Sequence, residues 1–100
     1  LWSDYIPIIT ESIDLAKMGI IPGGAYRNAE HVENKVIFKN DIKQEIKDIL
    51  FDPQTSGGLL ISVSEDKSEE LMKLLRENNK TDSSIIGRVK TMTDKPLEVI

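Results

Sequence analysis

Phe51-Asp52-Pro53-Gln54-Thr55-Ser56-Gly57-Gly58-Leu59-Leu60-Ile61 is the stretch on which the reading of this chain turns. Pro53 fixes its own φ and pushes Asp52 toward extended backbone, so a helix arriving from the N-terminal side should stop here. Thr55 and Ser56 offer hydroxyls, while Gly57 and Gly58 let the backbone approach a partner closely or take positive φ. Leu59 to Val63 then reads as a short buried strand. A plain helix-to-strand connection needs one glycine and a polar residue or two. The surplus makes this segment the first candidate edge of a ligand site.

Upstream, Ile42, Ile46 and Ile49 or Leu50 mark one face of a helix that delivers the chain into the Asp52 segment. Asp41 with Gln44 resembles a capping box at its start. Before it, the short apolar run Val36-Ile37-Phe38 reads as a brief strand or an extended segment. Earlier still, Ile9, Ile13 and Ala16 recur at helical spacing, with Thr10 as the expected N-cap, Glu11 in the first turn and Gly19 at the C-terminal end. The stretch Ile20 to Asn28 reads as a second loop, combining a Pro-Gly-Gly turn with an aromatic, a guanidinium and an amide. Downstream of the Leu59–Val63 strand, Ser64 is an expected N-cap. Leu71, Leu74 and Leu75 make a helical stripe that Met72 extends, and Asn78 and Asn79 suit the helix end. Ile85 to Val89 reads as a further strand. Thr91 to Lys95 then turn the chain toward a final strand candidate at Pro96 to Ile100. Strands alternating with helices imply helices packed on a sheet.

One hundred residues suit one small domain. A hydrophobic fraction of 39% and a charged fraction of 30% are ordinary for a globular chain. A net charge of −4, with no Lys/Arg cluster, argues against nucleic-acid binding. No apolar run approaches the ~20 residues that a membrane span needs. The absence of cysteine removes disulfides, thiolate nucleophiles and zinc–thiolate sites, and fits a cytoplasmic protein. The lone His31 has only Glu30 and Glu33 nearby in sequence, so it reads as a surface or internally satisfied histidine rather than a metal ligand. The chain opens Leu1-Trp2-Ser3-Asp4 with no initiator methionine, which suggests a piece of a longer protein.

The two loops carry the candidate chemistry. Arg27 presents a fork of donors suited to phosphate or carboxylate, and Asn28 both donates and accepts. Gly23 and Gly24 would keep bulk away from a ligand or a neighbouring backbone. The plainer alternative is a glycine turn whose Arg27 pairs with Asp52 and whose Asn28 caps a turn. Backbone N–H groups around Thr55, Ser56, Gly57 and Gly58 can form an anion-binding nest. Yet the spacing is neither that of a P-loop nor that of a dinucleotide fingerprint. Asp52 alone does not make a magnesium site. Without cysteine and with one isolated histidine, no nucleophile–base triad can be assembled.

Taken together, Gly19-Ile20-Ile21-Pro22-Gly23-Gly24-Ala25-Tyr26-Arg27-Asn28 and Leu50-Phe51-Asp52-Pro53-Gln54-Thr55-Ser56-Gly57-Gly58-Leu59-Leu60 resemble the selenophosphate synthetase (selenide, water dikinase) family. Ile85-Ile86-Gly87-Arg88-Val89 continues the resemblance, which spans nearly the whole chain. That family belongs to the superfamily of aminoimidazole ribonucleotide synthetase and thiamine-monophosphate kinase. The resemblance implies an α+β fold, a three-layer α/β/α domain with a mixed sheet, partly ferredoxin-like in topology. Residues 1–100 would form most of a C-terminal domain, with the N-terminal ATP-binding domain and the first part of this domain lying elsewhere.

The resemblance also implies that ATP, selenide and water give selenophosphate, AMP and orthophosphate, for selenocysteine and modified tRNA. It implies a cytoplasmic homodimeric parent that uses ATP and Mg2+. The family's catalytic Cys or selenocysteine, its Lys and most of its metal-binding aspartates lie in positions absent from this chain, so these residues alone should be inactive. Gly23, Gly24, Arg27, Asn28, Asp52, Thr55, Ser56, Gly57 and Gly58 would face the interdomain active site. Two alternatives remain: another ATP-using member of the superfamily releasing ADP, or a non-catalytic binding or oligomerisation module. A sheet cut short exposes unpaired backbone groups, so self-association of these residues is expected.

Overall fold

In the computed structural model, residues 1–78 and 82–100 are described. They form a small α+β domain of four α-helices, α1 Thr10–Lys17, α2 Gly23–Val32, α3 Gln44–Leu50 and α4 Ser68–Glu77. The strands are β1 Val36–Phe38 and β2 Leu97–Val99. Short 3-10 turns at Ser3–Tyr5 and Glu65–Lys67 precede α1 and α4.

β1 and β2 pair in parallel, with Val36 opposite Leu97 and Phe38 opposite Val99. Parallel pairing demands a long crossover, which α3 and α4 supply. Backbone bonding extends past the ladder. Ile100 N–H donates to the Leu1 carbonyl at 2.9 Å, and Ser3 N–H donates to the Ile100 carbonyl at 2.8 Å. Trp2 N–H donates to Ile86 C=O at 2.8 Å, so Leu1–Ser3 is flanked by Ile86 and by the end of β2. A Cβ on Gly87 would lie 3.1 Å from the backbone Cα of Leu1, a tight approach that suits a glycine there.

The core is thin. Ala16, Ala25, Ile42, Met72 and Val99 are buried. α1 packs on α3, and α3 touches α2. Phe38 of β1 meets Phe51 edge-on with ring centroids 5.6 Å apart, and Lys47 Nζ lies 5.7 Å from the Phe38 ring centroid. That contact joins the sheet to the end of α3. No described helix is long and apolar enough to cross a membrane.

Local signals act as the sequence suggests at the end of α1. Gly19 takes φ +76°, its N–H donates to Ala16 C=O, and Ile20 N–H reaches back to Leu15 C=O. This is a Schellman closure, which favours glycine at that position. Other expectations are corrected. Thr10 is the first residue of α1 rather than its cap; Ile9 holds the cap position with no side-chain hydrogen bond. The Asp41–Gln44 box does not form. Lys43 precedes α3, and the Gln44 amide donates to Asp48 one turn on. Ser64 caps the 3-10 turn in position only, without a side-chain bond. Asn78 is the C-cap of α4, and the expected contribution of Asn79 lies outside the described residues.

The largest correction is at Pro22–Asn28, read as a loop from its Pro-Gly-Gly signature. Gly23 instead opens α2, with Pro22 in the N-cap position. The glycines occupy the first turn, where their helix cost is least felt. Ala25, Ala29 and Val32 then provide an inward stripe at i, i+4 and i+7, with Ala25 2% exposed. The expected strands at 59–63 and 85–89 are not paired in a ladder. Leu59 is 89% exposed and the 59–63 segment has no backbone neighbour among the described residues, whereas 85–89 meets the chain start through the single Trp2–Ile86 bond and leaves Val89 82% exposed.

Candidate functional site

Helix α2 and the Asp52 segment meet. Gly24 and Asn28 stand four residues apart on α2 and therefore on one helical face. The Asn28 amide donates to the Phe51 carbonyl at 2.9 Å. A Cβ placed on Gly24 would lie 2.8 Å from Pro53 Cγ, closer than atoms tolerate, and a tight 3.3 Å from Pro53 Cβ. Gly24 is thus a contact surface for Pro53, and its missing side chain is what permits the approach.

Within the segment, Asp52 is half-buried and its Oδ2 accepts a hydrogen bond from the Gln54 amide. Gln54 Oε1 also lies 3.2 Å from where a Gly57 Cβ would be, so the segment folds over itself around Gln54. Gln54 N–H donates to Asp52 C=O at 2.9 Å, which tightens the same bend. Neither Gly57 nor Gly58 takes positive φ. Thr55, Ser56, Gly57 and Gly58 are exposed. Among the described residues, no side-chain hydrogen bond ties Thr55 or Ser56 to α2.

Arg27 is exposed and bends back along α2, its Nη1 3.8 Å from the position of a Gly23 Cβ. It does not pair with Asp52, whose carboxylate is engaged by Gln54 instead. The structure therefore brings Gly24, Asn28 and the Asp52–Pro53 corner together, keeps Gly57 beside Gln54, and leaves Arg27, Thr55, Ser56 and Gly58 facing outward. Pro53 and Gln54, read from sequence only as part of the Asp52–Gly58 loop, are the residues that make its contacts to Gly24 and Asp52. Asp52 and Gln54 stand two residues apart, close enough for their side chains to meet across the bend.

Among the described residues, no three of His, Cys, Asp and Glu gather to hold a metal ion, and His31 is exposed on α2. The described residues gather no donor set that fits magnesium. A groove of about 570 Å³ lies between Trp2, Tyr5 and α4 and contains none of the candidate residues.

No protein-family model matches the chain, and no solved structure matches it. Curated relatives do. A selenide, water dikinase from Caldanaerobacter subterraneus is 53% identical over 87 residues, covering 87% of this chain and 25% of that protein. One from Clostridioides difficile is 45% identical over 98% of this chain and 28% of its own length. One from Clostridium botulinum is 42% identical over 99% of this chain and 28% of its own. The chain spans about a quarter of the length of the curated relatives it matches. Over the residues it contains, the chain belongs to the selenide, water dikinase family.

Proposed function

We propose that these residues form most of the C-terminal domain of a selenide, water dikinase, whose parent converts ATP, selenide and water to selenophosphate, AMP and orthophosphate. The observation that carries this reading is the meeting of the two family-bearing segments, Gly24 on Pro53 and Asn28 on the Phe51 carbonyl. Two motifs separated in sequence form one surface, as an active-site wall requires.

In this reading Arg27 reaches toward anionic groups of the substrate, and the Thr55–Gly58 segment closes over them and excludes water. The nucleophile and the magnesium ligands are supplied by the rest of the parent, and these hundred residues alone are inactive. In the parent, Leu59–Val63 and Ile85–Val89 become strands of a mixed sheet in a three-layer α/β/α domain. The exposure of Leu59, Leu60 and Val89 supports this, because such apolar segments require cover.

Phosphorus NMR of the full-length protein with ATP, magnesium and selenide under reducing conditions tests the reaction. A selenophosphate resonance with AMP and orthophosphate is expected. ADP as product would assign the parent to another ATP-using reaction of the same superfamily. Arg27→Ala in that protein should raise the ATP KM or lower turnover by roughly tenfold, the scale of one charge-assisted hydrogen bond. Unchanged kinetics would remove Arg27 from the site.

A further inference from the structure

We infer that Asn28 is a positioning residue, which holds the Asp52–Gly58 segment against α2 from the same helical face as Gly24, while its neighbour Arg27 faces outward. The inference rests on the dikinase reading for its catalytic consequence and on geometry alone for its structural one. Phe51 is the C-cap of α3, and its carbonyl belongs to the group of acceptors that a helix end leaves without intrahelical partners. Asn28 satisfies that acceptor across 23 residues of sequence. It acts as a C-terminal cap delivered by another helix.

The preceding carbonyls of α3 are closed locally: Phe51 N–H donates to Asp48 C=O and Asp52 N–H to Ile49 C=O. The Asn28 bond is the side-chain bond from α2 that holds the chain where it leaves α3. One turn earlier on the same face, Gly24 sets the distance, because Pro53 occupies the space of its absent side chain. A donor and a gap at i and i+4 together define the exit of α3 in direction and in depth. The Asn28 amide nitrogen is committed to protein. The Arg27 guanidinium lies back over Gly23 and is exposed, so of this adjacent pair it is the group available to ligand.

The test uses the full-length protein carrying Asn28→Ala, Asn28→Asp or Asn28→His, the last retaining a ring N–H donor at similar reach. Amide exchange at Phe51, Asp52 and Gln54 should speed up about tenfold in the first two variants, the scale of one hydrogen bond. Exchange at Gly19 and Ile20 of the α1 closure should not change, and the His variant should restore slow exchange at the α3 exit. In turnover, the Ala and Asp variants should lose about tenfold in kcat with the ATP KM within threefold of wild type, and the His variant should recover most of it. Unchanged exchange at Phe51 and Asp52 would overturn the inference. So would a tenfold rise in ATP KM at constant kcat, which would make Asn28 a direct ligand contact. If the wild-type protein makes no selenophosphate, the dikinase reading fails, and the exchange result still decides the positioning role.

Discussion

Leu97–Val99 and Leu59–Val63 are both short apolar segments, and they meet opposite fates. The first lies in register with β1 and buries Val99 to 2% exposure. The second carries a stronger apolar run yet leaves Leu59 at 89% and Leu60 at 78%. Composition does not separate them. A strand is a relation between two segments, and only the first has its neighbour. The contrast teaches that the apolar pattern marks where burial is needed, and pairing decides whether burial happens.

The comparison breaks most sharply at Val99. Val99→Asp places an unpaired carboxylate in the buried position of the ladder and should abolish cooperative urea unfolding. Val99→Ala should lower stability by about 2 kcal/mol, read as a reduced midpoint at constant slope. Either variant matching wild type would mean that the β1–β2 ladder contributes little.

Glycine substitutions sharpen the contrast next. Gly24→Ala drives a methyl into Pro53 and should cost about 1–2 kcal/mol, with Pro53→Gly relieving much of it. Gly58→Ala meets nothing within 4 Å and should stay within about 0.5 kcal/mol of wild type. Equal effects at the two glycines would dissolve the distinction between the packed and open parts of the segment.

Leu59→Lys should leave the stability of these hundred residues within about 0.5 kcal/mol while reducing their self-association in sedimentation, because Leu59 contributes exposed apolar surface and no core. A large loss of stability would show that Leu59 already has a partner. Smallest of all, Arg88→Ala removes the pairing of Arg88 with Glu65, which ties the 85–89 stretch to the turn before α4. Both side chains are mostly exposed, so the change should be at most about 0.5 kcal/mol and vanish in high salt.

Much of this was legible in residues alone. The stripe Ile9, Ile13, Ala16 with Gly19 after it predicts α1 and its closure; the apolar run Val36–Phe38 reads as a brief strand or extended segment and Pro96–Ile100 as a last strand candidate, and β1 and β2 lie within them. α2 was hidden for a physical reason: Pro22, Gly23 and Gly24 carry the composition of a turn, and the helix announces itself only through small residues, Ala25 and Ala29, whose apolar signal is weak. The Asp41–Gln44 pattern misled because caps compete. Gln44 found Asp48 one turn along, a local partner that sequence spacing also allows. At the candidate site, the residues were named from their chemistry, but not which of them would spend that chemistry on the protein itself. The engagement of Phe51 by Asn28 depends on how α2 lies against the end of α3, and pattern alone does not encode that docking, whereas the Gln54–Asp52 bond is local.

The closure at Gly19 has a mechanical side. Between the end of α1 and the start of α2 run only Met18, Gly19, Ile20, Ile21 and Pro22, and the glycine among them sits at φ +76° where other residues are strained. A tight bracket of this kind has no play, and at the far side of the first turn of α2 the clearance between Gly24 and Pro53 is already used up. Tolerances in such an assembly accumulate. A small error at the bracket carries to the Asp52 corner, so the machining of that corner begins outside it, at a glycine whose missing side chain would meet only open space.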